Sequence, residues 1–360
     1  MKIVIIGAGV AGLATGWRLA QSGTEVVILE RAQPASAATW AAAGMIAPTA
    51  ETEHGDPAEA AFARWSADLW PDFAAQIEAQ SGRSIGYKRD GALLVAMTED
   101  ERRTFSARNT ASLLDSSEVR AREPMLSQNI AGALWDMEEA QVDNRVLGPA
   151  LAVACGKAGA KILSLETAVS IETIGDFFGV RTPFSMHHAN KVLVAAGAWS
   201  GQIEMPANSA PPAKPIKGEM IALAPPPGIA LPDHVVWGNG VYLVPRKGRL
   251  LIGATMEDVG FDTALSDAGG DWLRHRAIAL MPALAGWAVD EHWAGLRPGS
   301  PDGLPILGET ATKNLFVATG QFRNGILFAP AVAETMCRLI LGDAVPEIRA
   351  FSPERFRSGP

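Results

Sequence analysis

Spacing alone gives Gly7, Gly9, Gly12 and Glu30 a legible chemistry. In Gly7-Ala8-Gly9-Val10-Ala11-Gly12 the glycines stand where a turn must bring peptide N–H groups against a pyrophosphate. Gly7 permits the tight turn, Gly9 the approach of the phosphate, and Gly12 the close packing of a helix on a strand. A helix opening there also turns its positive dipole end and unpaired amides toward an anion. Glu30, eighteen residues beyond Gly12, supplies a carboxylate that can accept hydrogen bonds from ribose hydroxyls, which suits a dinucleotide with no 2′-phosphate. The triplet leaves FAD and NAD both open.

These groups need a strand, a helix and a second strand in register, and the sequence supplies them. Lys2-Ile3-Val4-Ile5-Ile6 is an apolar β-branched run. A helix from about Val10 to Ser22 follows, with Leu13, Trp17 and Ala20 on one stripe and Gly23 at its end. Glu25 to Leu29 forms the next strand. The loop Ser36 to Pro48 is rich in small residues, which suits either close approach to a flat ring or a tightly packed loop. A long amphipathic helix is predicted over Ala58 to Ser81, with Pro71 as a kink and Phe62, Trp65, Leu69, Phe73 and Ile77 packing the core. Thr98 to Glu101 fits a capping box. Asp143 caps a helix to about Lys157, and strands follow near Ala160 to Leu165, Thr167 to Thr173 and Lys191 to Ala195. The first sheet therefore resumes near residue 160. Gly218 to Leu223, Val241 to Pro245 and Arg249 to Gly253 form the strands of a cavity wall. A strand Leu315 to Gly320 and a helix from about Gly325 complete the chain.

Composition narrows the function classes. Of 360 residues 48 % are hydrophobic and 19 % charged, which fits a well-buried α/β enzyme. The net charge of −8, without a basic cluster, speaks against a nucleic-acid partner. Cys155 and Cys337 match no metal or redox spacing and read as reduced core thiols of a cytoplasmic protein. The chain opens on its first strand, leaving no place for a leader peptide, and the apolar run Ile326 to Leu341 is too interrupted to span a membrane. The six histidines form no triad or metal set. His187, His188, His234, His275 and His292 read as surface or satisfied core residues, while His54 stands close enough to the small-residue loop to be watched.

Taken together, the segments resemble the flavin-dependent D-amino-acid oxidase superfamily, and within it the glycine oxidase branch linked to thiamine biosynthesis. The resemblance covers nearly the whole chain. Its carriers are Gly7 to Gly12 with Glu30, Ala41 to Pro48, Val192 to Ser200, Val241 to Arg246, Gly253 to Glu257, Trp293 to Gly299 and Gln321 to Leu327. The last three are more specific than the glycine triplet and select FAD.

The resemblance implies an α/β fold in which an FAD-binding Rossmann-like domain of the glutathione-reductase type (1–85, 140–210 and 296–360) is interleaved with a mixed-sheet α+β substrate domain (86–139 and 211–295). It places Val10, Ala11, Glu30 and Arg31 at the ADP half of the cofactor and Val169 at the adenine through its backbone. Ala38, Thr39, Ala43, Gly44 and Met45 then line the pyrophosphate and flavin, and Gln321, Phe322, Arg323, Asn324, Gly325, Ile326 and Leu327 offer amides to the pyrimidine end. Arg297 corresponds to the arginine that grips the substrate carboxylate, Tyr242 to its hydrogen-bonding tyrosine, Arg323 to a second arginine and Met256 to a residue packing at the site. A guanidinium suits the task because two N–H donors match two carboxylate oxygens.

The implied reaction is oxidative deamination of glycine, sarcosine, D-alanine or a similar small amine acid to an oxo acid and ammonia. Oxygen accepts the electrons as hydrogen peroxide; a dehydrogenase of the same fold, passing electrons to another acceptor, is the alternative. Noncovalent FAD and a homo-oligomer, a tetramer by analogy, are further implications. Trp40 stands where a small hydroxyl residue is expected, and it either narrows the pocket or points into the protein. Trp237 and Asn239 stand ahead of Tyr242, where the branch varies.

Overall fold

The computed structural model describes residues 1–51, 56–105 and 112–357, so His54 lies outside the described residues. Two sheets dominate. The first has six strands in the order Ile306–Glu309, Leu315–Thr319, Lys191–Val194, Lys2–Ile6, Glu25–Glu30 and Lys161–Ser164. All neighbours are parallel except Ile306–Glu309, which runs antiparallel at one edge. Alternation sorts its side chains. Ile3, Ile5, Val26 and Ile28 pack on the helices Val10–Gln21, Pro57–Ser81, Asn144–Lys157 and Ala329–Leu341. Val4, Ile6, Val27 and Leu29 face the other way, against Ile171, Phe178 and Val180 of a small antiparallel sheet. Ser170–Ile174 belongs to that covering sheet, while Lys161–Ser164 extends the parallel one.

The second sheet is mixed and has eight strands, in the order Ala288–Gly299, Lys214–Ala224, Arg249–Gly253, Val241–Arg246, Val235–Gly238, Ala92–Ala96, Gly132–Asp136 and Ser112–Asp115. One face, with Ile221, Leu243 and Ile252, packs on the helix Asp267–Leu280. The opposite face, with Met220, Tyr242 and Leu251, packs on Ala41 and Ala43 of the small-residue loop. The sheet therefore turns one of its two residue sets toward the glycine turn. That contact builds the site.

Two boundaries differ from the sequence reading. The strand begun at Gly218 extends back to Lys214 through Pro215, which pairs with Pro298 beyond the reach of Arg249–Gly253. On that free edge a residue without an N–H costs little. The last helix starts at Ala329, not near Gly325, because Pro330 suits its first turn. Pro71 sits inside a helix that runs without interruption from Pro57 to Ser81. Among the described residues no helix is long and apolar enough to cross a membrane, and no cluster fit to hold a metal occurs.

Candidate active site

The glycine turn has the close contacts its spacing requires. Gly7 holds φ +105°, and a Cβ there would lie 2.4 Å from the Ala195 carbonyl oxygen; one on Gly12 would lie 2.0 Å from that of Gly7. Gly9 is open, its nearest neighbour being Thr39 Oγ1 at 3.6 Å. Thr39 Oγ1 also accepts the Val10 N–H at 3.0 Å, and the Glu30 carboxylate accepts the N–H groups of Ala8 at 2.8 Å and Ala32 at 2.9 Å. These bonds fix the crevice in which strands and helix meet.

The crevice opens into a cavity of about 360 Å³. Gly7, Gly9, Val10, Ala11, Glu30, Arg31, Ala38, Thr39, Ala43, Gly44, Met45 and Val169 line it, as do Gln321 to Ile326. Gly12 and Leu327 do not reach it. Gly12 packs behind the turn, and the Leu327 carbonyl is turned inward to accept from Ser66 Oγ and Trp70 Nε1. The Val169 amide already donates to Arg181 O at 2.9 Å, and its carbonyl accepts from Glu204 N at 3.0 Å, so its backbone enters the site with one free carbonyl lone pair. Arg31 stacks on Trp199 at 3.4 Å.

The small-residue loop is held from outside. Arg246 donates to the carbonyls of Ala43 and Val142 and to Gln141, and burial pushes its guanidinium down to about 10. Gly44 takes φ +80° where a Cβ would meet Val142 O at 2.0 Å. Trp40 settles its two readings: it is absent from the cavity wall and lies under Arg145 at 3.8 Å, edge-on to Trp293. Arg145 is in turn held by both carboxylate oxygens of Glu291, at 2.8 and 3.0 Å.

At the inner end Arg297, Tyr242 and Arg323 come together with a fourth residue, Glu51. Arg297 Nη1 donates to Lys217 O at 3.3 Å and Thr255 O at 3.1 Å. Its plane lies on Gly218, where a Cβ would meet Nη1 at 2.2 Å. Gly253 gives Tyr242 the same room, a Cβ falling 2.4 Å from the phenolic oxygen. Burial raises the Tyr242 phenol above its ordinary value, with Arg297 acting against it. Arg323 Nε stands 2.7 Å from Glu51 Oε2, and burial raises the Glu51 carboxyl while both arginines oppose the rise. The strand Ala288–Gly299, which carries Arg297, is stitched to the crevice: Trp293 Nε1 donates to Ala41 O at 3.0 Å, and Phe322 N to Pro298 O at 2.9 Å.

A second chamber of about 990 Å³ continues outward past these four residues. Trp237, Gly240, Trp272 and Met256 line it. Met256 is 67 % exposed and lines this outer chamber, which Tyr242, Arg297 and Arg323 also wall, but not the inner cavity.

The FAD dependent oxidoreductase family profile matches residues 2–339. The chain belongs to this family. It is 36 % identical over 98 % of its length to the bifunctional protein ThiO/ThiG of a Synechocystis strain, of which it spans 54 %. With the glycine oxidase of Pseudomonas aeruginosa it shares 33 % identity across 95 % of both chains. The crystal structure of glycine oxidase from Geobacillus kaustophilus superposes with a TM-score of 0.93 at 32 % identity, over 99 % of each chain.

As a member of the FAD dependent oxidoreductase family the chain has a crevice whose lining fits that cofactor. The glycine turn and helix start suit a pyrophosphate, and Glu30 stands at the end of the second strand. Gln321 Nε2 and Asn324 Oδ1 are buried on residues lining the cavity without a protein partner. A ring edge carrying donors and acceptors satisfies both. Glu51 and Arg246 escaped the sequence reading. Glu51 stands among other acidic residues with nothing local to distinguish it, whereas Arg246 closes the Val241 to Arg246 segment and was visible there.

Proposed function

We propose that this chain oxidises glycine or another small amine acid such as sarcosine or D-alanine, giving an oxo acid, ammonia and, with oxygen as acceptor, hydrogen peroxide. The observation that carries this reading is the convergence of Arg297, Tyr242, Arg323 and Glu51 at the inner end of the flavin crevice. The relationship to glycine oxidases over 95 % or more of both chains supports the substrate class.

Two arginines against one carboxylate leave this junction one positive charge in excess. A substrate bound as a carboxylate with an uncharged amine brings it to neutrality, which a buried site favours. Arg297 and Tyr242 hold the carboxylate, so the α-carbon lies between the clamp and the crevice. No side chain need then remove an amine proton. Bound FAD, held noncovalently, would supply the hydride acceptor; the Phe322 and Asn324 amides are already bonded to Pro298 O and Gln321 O, so the other cavity-lining amides of the segment, such as those of Gly325 and Ile326, would favour the charge that develops at its pyrimidine end. The cofactor domain comprises 1–85, 140–210 and 296–360, and the substrate domain 86–139 and 211–295, with the clamp strand crossing between them.

Anaerobic titration of the purified protein with glycine, sarcosine, D-alanine and D-proline, followed by air, tests the reading. Bleaching of the flavin by one of them and rapid recovery with peroxide is the expected result. Bleaching that air reverses only slowly identifies a dehydrogenase, and protein purified without flavin refutes the proposal.

A further inference from the structure

We propose that Glu51 sets the charge of the substrate: by neutralising Arg323 it confines the site to amines bearing one carboxylate, and without it the site takes dicarboxylic amines. The inference rests on the function proposed above and assigns Glu51 as a specificity-determining residue.

Arg323 lines both the inner cavity and the outer chamber, and its side chain is 40 % exposed. It stands where a second anionic group, extending outward from a substrate held at Arg297, would arrive. Its Nε lies 2.7 Å from Oε2 of Glu51, an ion pair, and the Glu51 side chain is only 7 % exposed. The other carboxylates on the chamber wall are committed elsewhere: Glu59 accepts from Asn324 Nδ2 at 3.1 Å, and Glu257 from Thr255 Oγ1 at 2.7 Å and Lys217. Glu51 is thus the anion that directly opposes the two arginines. The outer chamber has the volume for a substituent, with Trp237 and Trp272 along its wall. A second carboxylate entering it meets a guanidinium that is already neutralised and a carboxylate that repels it. A neutral amide at position 51 removes the repulsion and leaves the Arg323 charge uncompensated, to be met by the ligand.

The test uses holoenzyme and two ligands that cannot be oxidised as amines: glycolate, with one carboxylate, and diglycolate, with two. Dissociation constants come from the perturbation of the flavin spectrum, and glycine and iminodiacetate serve as the matching substrates. Glu51→Gln should tighten diglycolate relative to glycolate by about tenfold or more, the scale of one charge-assisted hydrogen bond, and should shift kcat/KM toward iminodiacetate in the same sense. Arg323→Gln, which leaves Glu51 facing the ligand unpaired, should weaken glycolate by about tenfold, and adding Glu51→Gln should restore it. That restoration keeps the test decisive if Glu51→Gln alone does not accumulate. An unchanged diglycolate to glycolate ratio in Glu51→Gln, or a double variant that fails to recover glycolate, overturns the inference. Wild-type protein reduced by glycine but with an unmoved ratio in the variant refutes the role of Glu51 alone; wild-type protein that no amine reduces and that binds no glycolate refutes the parent function as well.

Discussion

Replacing Gly218 by alanine tests whether the position of Arg297, and not only its charge, governs turnover. Gly218 lies in a strand, and its φ lies outside the left-handed region, so alanine suits the backbone. The added Cβ would stand 2.2 Å from Nη1, 2.4 Å from Nη2 and 2.5 Å from Cζ of Arg297. Ordinary contact begins at 3.4 Å, so the guanidinium must retreat by about 1 Å, a displacement that can cost about 100-fold in rate. The arginine is the end of a flexible side chain, and alanine also lowers the entropy of the unfolded chain, so stability should stay within about 1 kcal/mol of wild type. The assay is anaerobic flavin reduction by glycine in a stopped-flow instrument, with flavin content and Tm measured on the same preparation. The expected result is a loss of about 100-fold in kcat/KM, equivalent to about 2.7 kcal/mol, at full flavin content. A loss below about threefold in flavin-loaded protein would refute the argument that Gly218 seats the clamp.

Other perturbations separate the crevice, the loop and the core. Gly12→Ala sets a Cβ 2.0 Å from a backbone oxygen that cannot move aside, so the protein should be recovered without its yellow colour or not at all; normal flavin content would contradict the packing. Trp40→Phe should change the KM for glycine by less than about threefold, because the ring lies under Arg145 and not on the cavity wall, and steady-state kinetics decide the point. Burial pushes the Glu139 carboxyl from 4.5 up to about 8, so across that window the folded chain keeps a proton that the unfolded chain has released. Stability therefore falls as pH rises through the window, by an amount on the order of 5 kcal/mol, and Glu139→Gln should flatten this part of the Tm profile; an identical slope in the variant would exclude Glu139 as the source.

The parts of the site legible in the sequence were those built from neighbours along the chain. Strand, glycine turn, helix and acid occupy the first thirty residues, and each constrains the next through local backbone geometry. Gly218 looks like an ordinary strand residue in the sequence, and Gly253 only opens a segment of the resemblance, because their tasks appear only when Lys214–Ala224 pairs with Ala288–Gly299 and Val241–Arg246 with Arg249–Gly253. Glu51 acquires its partner from a segment more than 250 residues away, and no local pattern reports that. The proline boundaries erred for a different reason. Pro215 and Pro298 punctuate a sequence, yet facing each other on a free edge they continue a strand. The start of the last helix was recoverable, since a proline at position 330 marks a first turn better than the apolar run before it does.

The clamp strand has a consequence for how substrates can diversify. It is tied to the small-residue loop through Trp293 and Ala41 and to the segment beyond it through Pro298 and Phe322, and Gly295 lies so close to Ala41 that a Cβ there would fall 2.5 Å from the Ala41 methyl. The gap between guanidinium and crevice is therefore a fixed gauge, with no hinge between its two jaws. With Arg297 gripping the carboxylate as proposed, every accepted molecule presents the same short acid head to it. Variety is left to the tail, which grows outward into a vestibule whose walls can be rebuilt without disturbing the gauge.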